Sequence, residues 1–148
     1  AFGAKERRTI MESDQAKELL SFHSCRNSDV HNPKWSEGFL GSLRPFRGEL
    51  REENLIEVME CLKALKEEFL APVVDREIVS DLVGIVHLTR AWASPDGMLG
   101  SNRLLTEAQT RRLLAWADIV EGCFLYLLEG AEEEAFADYQ DYLGGTYC

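Results

Sequence analysis

One segment dominates the sequence: residues 106–130, which read TEAQTRRLLAWADIVEGCFLYLLEG. In an α-helix successive side chains are rotated by about 100°, and at that spacing the apolar side chains of this segment cover nearly the whole circumference. Only a strip around Asp118, Gly122 and Glu129 is polar. Because a helix that is apolar on most sides has to be buried on most sides, residues 107–129 are predicted to form a central helix of the fold.

The ends of this helix are marked by residues that cap helices. Thr106 can accept a hydrogen bond from the backbone of Gln109, whose side chain can reach back, and Gly130 can adopt the left-handed conformation that closes a helix. A membrane span is the competing interpretation. Asp118 and Glu121 interrupt the apolar run, which is also shorter than the ~20 residues that a bilayer requires. The segment is therefore predicted to be a buried helix, and no membrane partner is expected.

Other segments also carry apolar residues at helical spacing. They lie at about 10–22, from 33 to 43, at about 51–70, at 75–92 and from about 133 to 143. The apolar stripe of 75–92 is wider than half the circumference, which predicts a second central helix. No convincing β alternation and no internal repeat is visible. The predicted fold is all-α: a single helical domain over residues 1–148, a bundle of five or six helices with two central ones, in which 1–8 and 145–148 are poorly ordered.

The charge of the chain is unevenly distributed. The net charge is -10, yet residues 1–51 contain nine Lys or Arg against seven Asp or Glu, and no basic residue follows Arg112. A surface of this kind repels nucleic acid and anionic membranes and attracts a basic protein or peptide. The alternative explanation is solubility alone, since a net charge of this size is common in small domains.

The last predicted helix combines acidic and aromatic residues and is the candidate surface for a basic partner. The predicted partner-binding residues are Glu132, Glu133, Glu134, Asp138, Tyr139, Asp141 and Tyr142. In the alternative arrangement the tyrosines face the bundle and only the carboxylates face water.

Three charged residues lie within apolar stripes of the two central helices: Asp81, Arg90 and Glu121. An unpaired charge there would be costly, so each is expected to have a partner. Pairing of Arg90 with Glu121 is the favoured arrangement. The alternative is a charged cleft that binds a small ligand or substrate, with Glu121 as a general base.

A possible metal site lies near the predicted end of the first helix. His23, Cys25, Asp29 and His31 fall within nine residues, and imidazole and thiolate are ligands suited to zinc. Their spacings of two, four and two residues match no standard zinc finger. A solvated polar loop is therefore favoured over a metal site, and no cofactor is expected.

A possible anion site surrounds the turn that follows the second helix. Arg44, Arg47 and Arg51 lie close together in sequence near a helix start, where an anion can be bound. Exposed arginines beside acidic helices are more often solvated or paired with carboxylates, and that explanation is favoured.

The cysteines and the familiar motifs bear on location and activity. The four cysteines form no CxxC pair and no signal peptide precedes them, so a cytoplasmic location is expected.

No P-loop, HExxH, GxSxG or EF-hand pattern is present. The sequence therefore favours a non-enzymatic interaction module that acts as an acidic adaptor or antagonist of a basic partner. Its two strongly apolar helices also predict self-association, as a homodimer.

Overall fold

A computed structural model of the protein describes residues 11–147, and this part of the chain contains helices and no strand. One 3-10 turn, at Gly41–Leu43, lies between the second and third helices. The α-helices are α1 (Ser13–His23), α2 (Pro33–Glu37), α3 (Glu52–Leu70), α4 (Arg76–Ala93), α5 (Met98–Ser101), α6 (Glu107–Leu128), α7 (Glu132–Ala135) and α8 (Ala137–Leu143). Within the described residues six of them have five or more residues, which confirms the predicted all-α bundle.

The four long helices pack in a ring. α1 and α6 each pack against both α3 and α4. α4 and α6 run antiparallel, because Arg90 near the end of α4 contacts Asp118 in α6, whereas Val83 lies beside Phe124, further along α6. The core between the helices contains Phe39, Leu55, Met59, Leu62, Phe69, Leu82, Ile85 and Trp116 among its buried side chains.

Capping residues mark the ends of the two central helices, and those of α6 are the residues predicted from the sequence. The Thr106 hydroxyl accepts a hydrogen bond from the Gln109 amide at 3.0 Å, and the Gln109 side chain accepts one from the Thr106 amide at 2.9 Å. Gly130 closes α6 with a φ of 80°. At the start of α4 the Asp75 carboxylate accepts a hydrogen bond from the Glu77 amide at 2.9 Å. Each contact satisfies a backbone group that a helix end leaves without a partner.

The apolar faces of the two central helices predict burial on most sides, and this chain by itself covers only the sides that face the ring. Trp116 and Phe124 are buried, but Val83 is 49% exposed, Leu125 49% and Leu128 43%. The reason is geometric. In a ring of four helices each long helix packs against two long neighbours, and the side away from the centre of the ring has no helix to cover it. In the part of the chain that the structure describes, we find no helix with the length and the hydropathy of a membrane span.

The two chain ends that are predicted to be poorly ordered lie partly outside the described residues. Residues 1–8 and Cys148 lie outside the described part of the chain. The poorly ordered tail over residues 145–148 stays a prediction; within it, the Tyr147 ring packs edge-on against Tyr142 with centroids 6.4 Å apart. This contact and packing against the core hold the end of the described chain on the bundle.

Candidate functional site

Arg90 is the centre of an ion cluster between α4 and α6. Its Nη2 atom donates to Asp118 Oδ1 at 2.6 Å and to Glu121 Oε1 at 2.7 Å. The hydrogen bond from Arg90 lowers the pKa of Glu121 from its usual value. The predicted pairing of Arg90 with Glu121 is thus confirmed, and Asp118 joins it. One guanidinium faces two carboxylates, so this Arg90 cluster carries a net charge of about -1.

Asp81 belongs to a different network. It is 4% exposed and accepts hydrogen bonds from Ser24 Oγ and Arg26 Nη1, both at 2.9 Å. Burial raises the pKa of Asp81, and the two hydrogen bonds act in the opposite direction. Asp81 and Arg90 are separated by about 13 Å along the same helix, and the hollow that Arg90 and Glu121 line does not include Asp81. The structure therefore does not bring together the three residues of the alternative cleft, Asp81, Arg90 and Glu121.

His23 joins α1 to the α2 region and to α3. It is buried, its Nδ1 accepts a hydrogen bond from the Phe39 amide at 2.9 Å, and its Nε2 contacts Glu57 Oε1 at 2.8 Å. Because the backbone amide donates to Nδ1, the neutral ring carries its proton on Nε2 and donates it to Glu57. The bond from His23 lowers the pKa of Glu57.

The four predicted metal ligands do not come together. Both ring nitrogens of His23 are engaged, and burial raises the pKa of the Cys25 thiol to about 11. Asp29 accepts a hydrogen bond from the Asn32 side chain at 3.2 Å. Within residues 11–147 no group of three His, Cys, Asp or Glu side chains is placed to hold a metal ion, so the metal hypothesis at His23, Cys25, Asp29 and His31 is not supported by the geometry.

The predicted anion site is a cleft of mixed charge. A hollow of about 520 Å³ is lined by Arg47 and Arg51 but not by Arg44. Glu37 and Glu49 line the same hollow, and Arg51 Nη1 lies 3.7 Å from Glu37 Oε1. The three arginines therefore do not converge, and two carboxylates offset the charge of the two arginines that line the hollow.

The two tyrosines predicted to bind a partner are part of the bundle. Tyr139 is 2% exposed. The Tyr142 hydroxyl accepts a hydrogen bond from Trp116 Nε1 at 2.8 Å and donates one to Glu52 at 2.6 Å. This corrects the predicted surface, because an aromatic side chain at helical spacing fills the core whenever its face of the helix packs against a neighbour. Sequence reasoning gave no signal for Glu52, the acceptor.

The carboxylates around these tyrosines do lie at the surface. Glu132 pairs with Lys66 at 2.8 Å. Five other acids are exposed and make no ion pair within residues 11–147; together we call them the acidic surface: Glu129, Glu133, Glu134, Asp138 and Asp141. Leu125, Tyr126 and Leu143 are exposed on the same three terminal helices. These helices therefore expose both carboxylates without an ion pair and apolar side chains.

A second surface, which sequence reasoning missed, is an apolar groove on the outer side of α4. It has a volume of about 540 Å³, and we call it the α4 groove; its lining residues are Arg76, Val79, Ser80, Val83, Gly84 and His87. A smaller hollow of about 240 Å³ continues it toward α6, from Val83 and His87 to Arg90, Glu121 and Phe124. The apolar periodicity of α4 predicts an apolar stripe, but it does not say which part of the stripe this chain leaves uncovered.

Comparison of the chain with family models, with curated protein sequences and with solved structures found no significant match in any of the three.

Proposed function

We propose that this chain is a non-enzymatic protein-interaction module that self-associates and binds a basic protein or peptide, acting as an adaptor or an antagonist. The observation that carries the proposal is the acidic surface. Its five exposed carboxylates make no ion pair within residues 11–147. These carboxylates also differ from the other exposed acids in their sequence context, because no Lys or Arg follows Arg112 and the last three helices carry no basic side chain beyond it.

The chemistry of the acidic surface favours a partner with both basic and apolar side chains. Lysines or arginines would pair with the carboxylates, and apolar side chains would contact Leu125, Tyr126 or Leu143. The negative potential would steer a basic partner toward this surface and would repel nucleic acid and anionic membranes. The proposed contact needs no cofactor.

The alternative function, an enzyme or a small-ligand-binding protein, has less support, because its candidate residues lie in separate networks. Arg90 contacts Glu121, whereas Asp81 contacts Ser24 and Arg26. A cytoplasmic location stays part of the proposal. It is supported by Cys61 and Cys123, which are free, buried thiols whose pKa values burial raises to about 12.

The test measures binding of a synthetic amphipathic peptide of lysine and leucine to the full chain. The triple variant Glu133→Gln, Glu134→Gln, Asp138→Asn is expected to slow association roughly tenfold, because electrostatic steering acts on the rate of encounter. The wild-type rate is expected to fall steeply with added salt.

A matched control removes the same amount of charge elsewhere. Glu18, Glu49 and Glu67 are exposed and make no ion pair within the described residues. Their triple Gln variant is expected to bind at nearly the wild-type rate. Equal effects of the two triple variants, or binding that is indifferent to salt, would contradict the proposal.

A further inference from the structure

We propose that the α4 groove is the interface of a symmetric dimer, in which α4 of one copy crosses α4 of a second copy antiparallel, near Gly84. The proposal rests on the self-association in the proposed function and names the surface that performs it. Three features of the described residues carry it: an uncovered apolar strip, a glycine that the chain's own packing does not require, and charges that match only when the two copies are antiparallel.

The first feature is the extent of the apolar strip. Val83 is 49% exposed at the middle of the α4 groove, and Val79 lines the groove one turn earlier. The strip continues into the hollow lined by Val83 and Phe124, and Leu125 and Leu128 are exposed on the same helix as Phe124. Contiguous apolar surface that polar residues border is typical of a protein interface.

The second feature is Gly84, in the middle of a helix of 18 residues. Glycine destabilises a helix interior relative to alanine, so a glycine at this position calls for a structural reason. At Gly97 and Gly100 the reason lies within the chain, because a Cβ there would lie about 1.9 Å from a backbone oxygen. A Cβ at Gly84 would meet nothing within 4 Å. The missing side chain instead leaves room for the backbone of a second helix to approach α4 closely.

The third feature is the charge at each end of the strip. Arg76 lines the groove at the start of α4 and makes no ion pair within residues 11–147. The Arg90 cluster at the other end has two carboxylates for one guanidinium. One end of the strip thus carries an unpaired positive charge and the other an excess negative charge.

A two-fold axis near Gly84 brings these opposite charges together. Arg76 lies about 12 Å before Gly84 along the helix axis and Arg90 about 9 Å after it. In an antiparallel crossing, Arg76 of each copy therefore faces the Arg90 cluster of the other, and the contact forms twice, as two-fold symmetry requires. A parallel crossing would place Arg76 against Arg76 and one acidic cluster against the other. The charges thus favour a second copy of this chain, in the antiparallel orientation, as the occupant.

The first test measures the mass of the full chain by sedimentation from roughly 1 to 100 μM. A dimer that dissociates on dilution is expected. Val83→Glu buries a charge in the interface and is expected to raise the Kd at least about tenfold. The matched control is Val30→Glu, since Val30 is 52% exposed and lies off the groove, and this variant is expected to dimerise like wild type. Circular dichroism checks that both variants are folded.

A charge exchange tests the orientation. Arg76→Glu removes two ion pairs per dimer and is expected to raise the Kd roughly tenfold. Adding Asp118→Arg to the same chain restores opposite charges across an antiparallel crossing, so the double variant is expected to regain most of the lost affinity. A double variant that dimerises no better than Arg76→Glu would overturn the antiparallel arrangement.

Cross-linking tests the position of the axis. In a Cys148→Ser background, Val83→Cys is expected to form a disulfide-linked dimer with oxidised glutathione, because residues next to the axis bring their Cβ atoms within about 4 Å of each other. Val30→Cys in the same background is expected to remain unlinked.

The outcomes separate this inference from the proposed function. A chain that stays monomeric at the highest concentration overturns the dimer and leaves binding of the basic peptide to be judged by its own test. A dimer that Val83→Glu does not weaken keeps self-association and overturns this interface. A monomer whose binding of the lysine-leucine peptide is lost in Val83→Glu would show that a basic helix, and not a second copy, occupies the groove.

Discussion

The Asp81 network and the Arg90 cluster use the same chemistry in opposite surroundings. Both join a carboxylate to an arginine, but the Asp81 side chain is 5% exposed, whereas the Arg90 side chain is 38% exposed. A buried carboxylate has lost its water and depends on Ser24 and Arg26, so removing a partner leaves a desolvated group behind. An exposed cluster can exchange each lost contact for water. Burial, and not the number of hydrogen bonds, therefore determines which of the two the fold depends on.

Asp81→Ala is the change expected to have the largest effect. It removes both hydrogen bonds that the buried carboxylate accepts, and Ser24 and Arg26 keep only their contacts with the Ser21 carbonyl and with Glu77. The free energy of unfolding is expected to fall by about 3 kcal/mol. Urea denaturation of the variant measures this loss. A loss below about 1 kcal/mol would mean that buried Asp81 contributes no more to stability than an exposed ion pair does, which would contradict the proposed role of burial.

His23→Leu is expected to have the next largest effect. Leucine fills a similar volume but leaves the Phe39 amide without its acceptor and Glu57 without its donor. A loss of about 2 kcal/mol in the free energy of unfolding is expected. The matched control is His31→Leu, because His31 is exposed and lies outside the α4 groove, and the stability of this variant is expected to change little.

These networks also mark the limit of what the sequence could predict. The caps of α6 were predictable because Thr106, Gln109 and Gly130 act on backbone that is near in sequence. Pairing of Arg90 with a carboxylate of α6 was predictable because both lie on apolar stripes of helices expected to be neighbours.

The remaining contacts depend on how the chain folds back on itself. Arg26 reaches Asp81 across 55 positions and Glu57 reaches His23 across 34, and no local pattern encodes either meeting. The exposure of Val83 was missed for a related reason. Periodicity shows that a helix face is apolar, whereas the arrangement of the other helices determines whether that face is covered.

Thr89→Val is expected to act in the opposite direction. Thr89 is fully buried on the same helix as Asp81, but its Oγ1 atom has no hydrogen-bond partner within residues 11–147. Valine has the same shape without the hydroxyl, so the substitution removes an unsatisfied polar group and is expected to stabilise the fold by about 1 kcal/mol. Thermal unfolding followed by circular dichroism measures the gain. A destabilised variant would mean that the hydroxyl has a partner, such as a bound water.

Arg90→Gln is expected to have the smallest effect. The exposed cluster contributes less than about 1 kcal/mol to the stability of the monomer, because water replaces each lost contact. Urea denaturation in dilute solution, where the chain is least associated, provides the measurement. A loss above about 2 kcal/mol would show that the cluster supports the fold as the buried network does.

The pH dependence of that small effect provides an independent check. Arg90 lowers the pKa of Glu121 below its ordinary value of 4.5, so the folded chain holds this proton less tightly than the unfolded chain. The contribution of the pair is then present above pH 4.5 and is lost as the pH falls through the lowered pKa of the folded state. Wild type and Arg90→Gln are expected to differ in stability at neutral pH and to converge in acid. A difference that persists in acid would mean that Arg90 acts through the packing of its aliphatic stem and not through its charge.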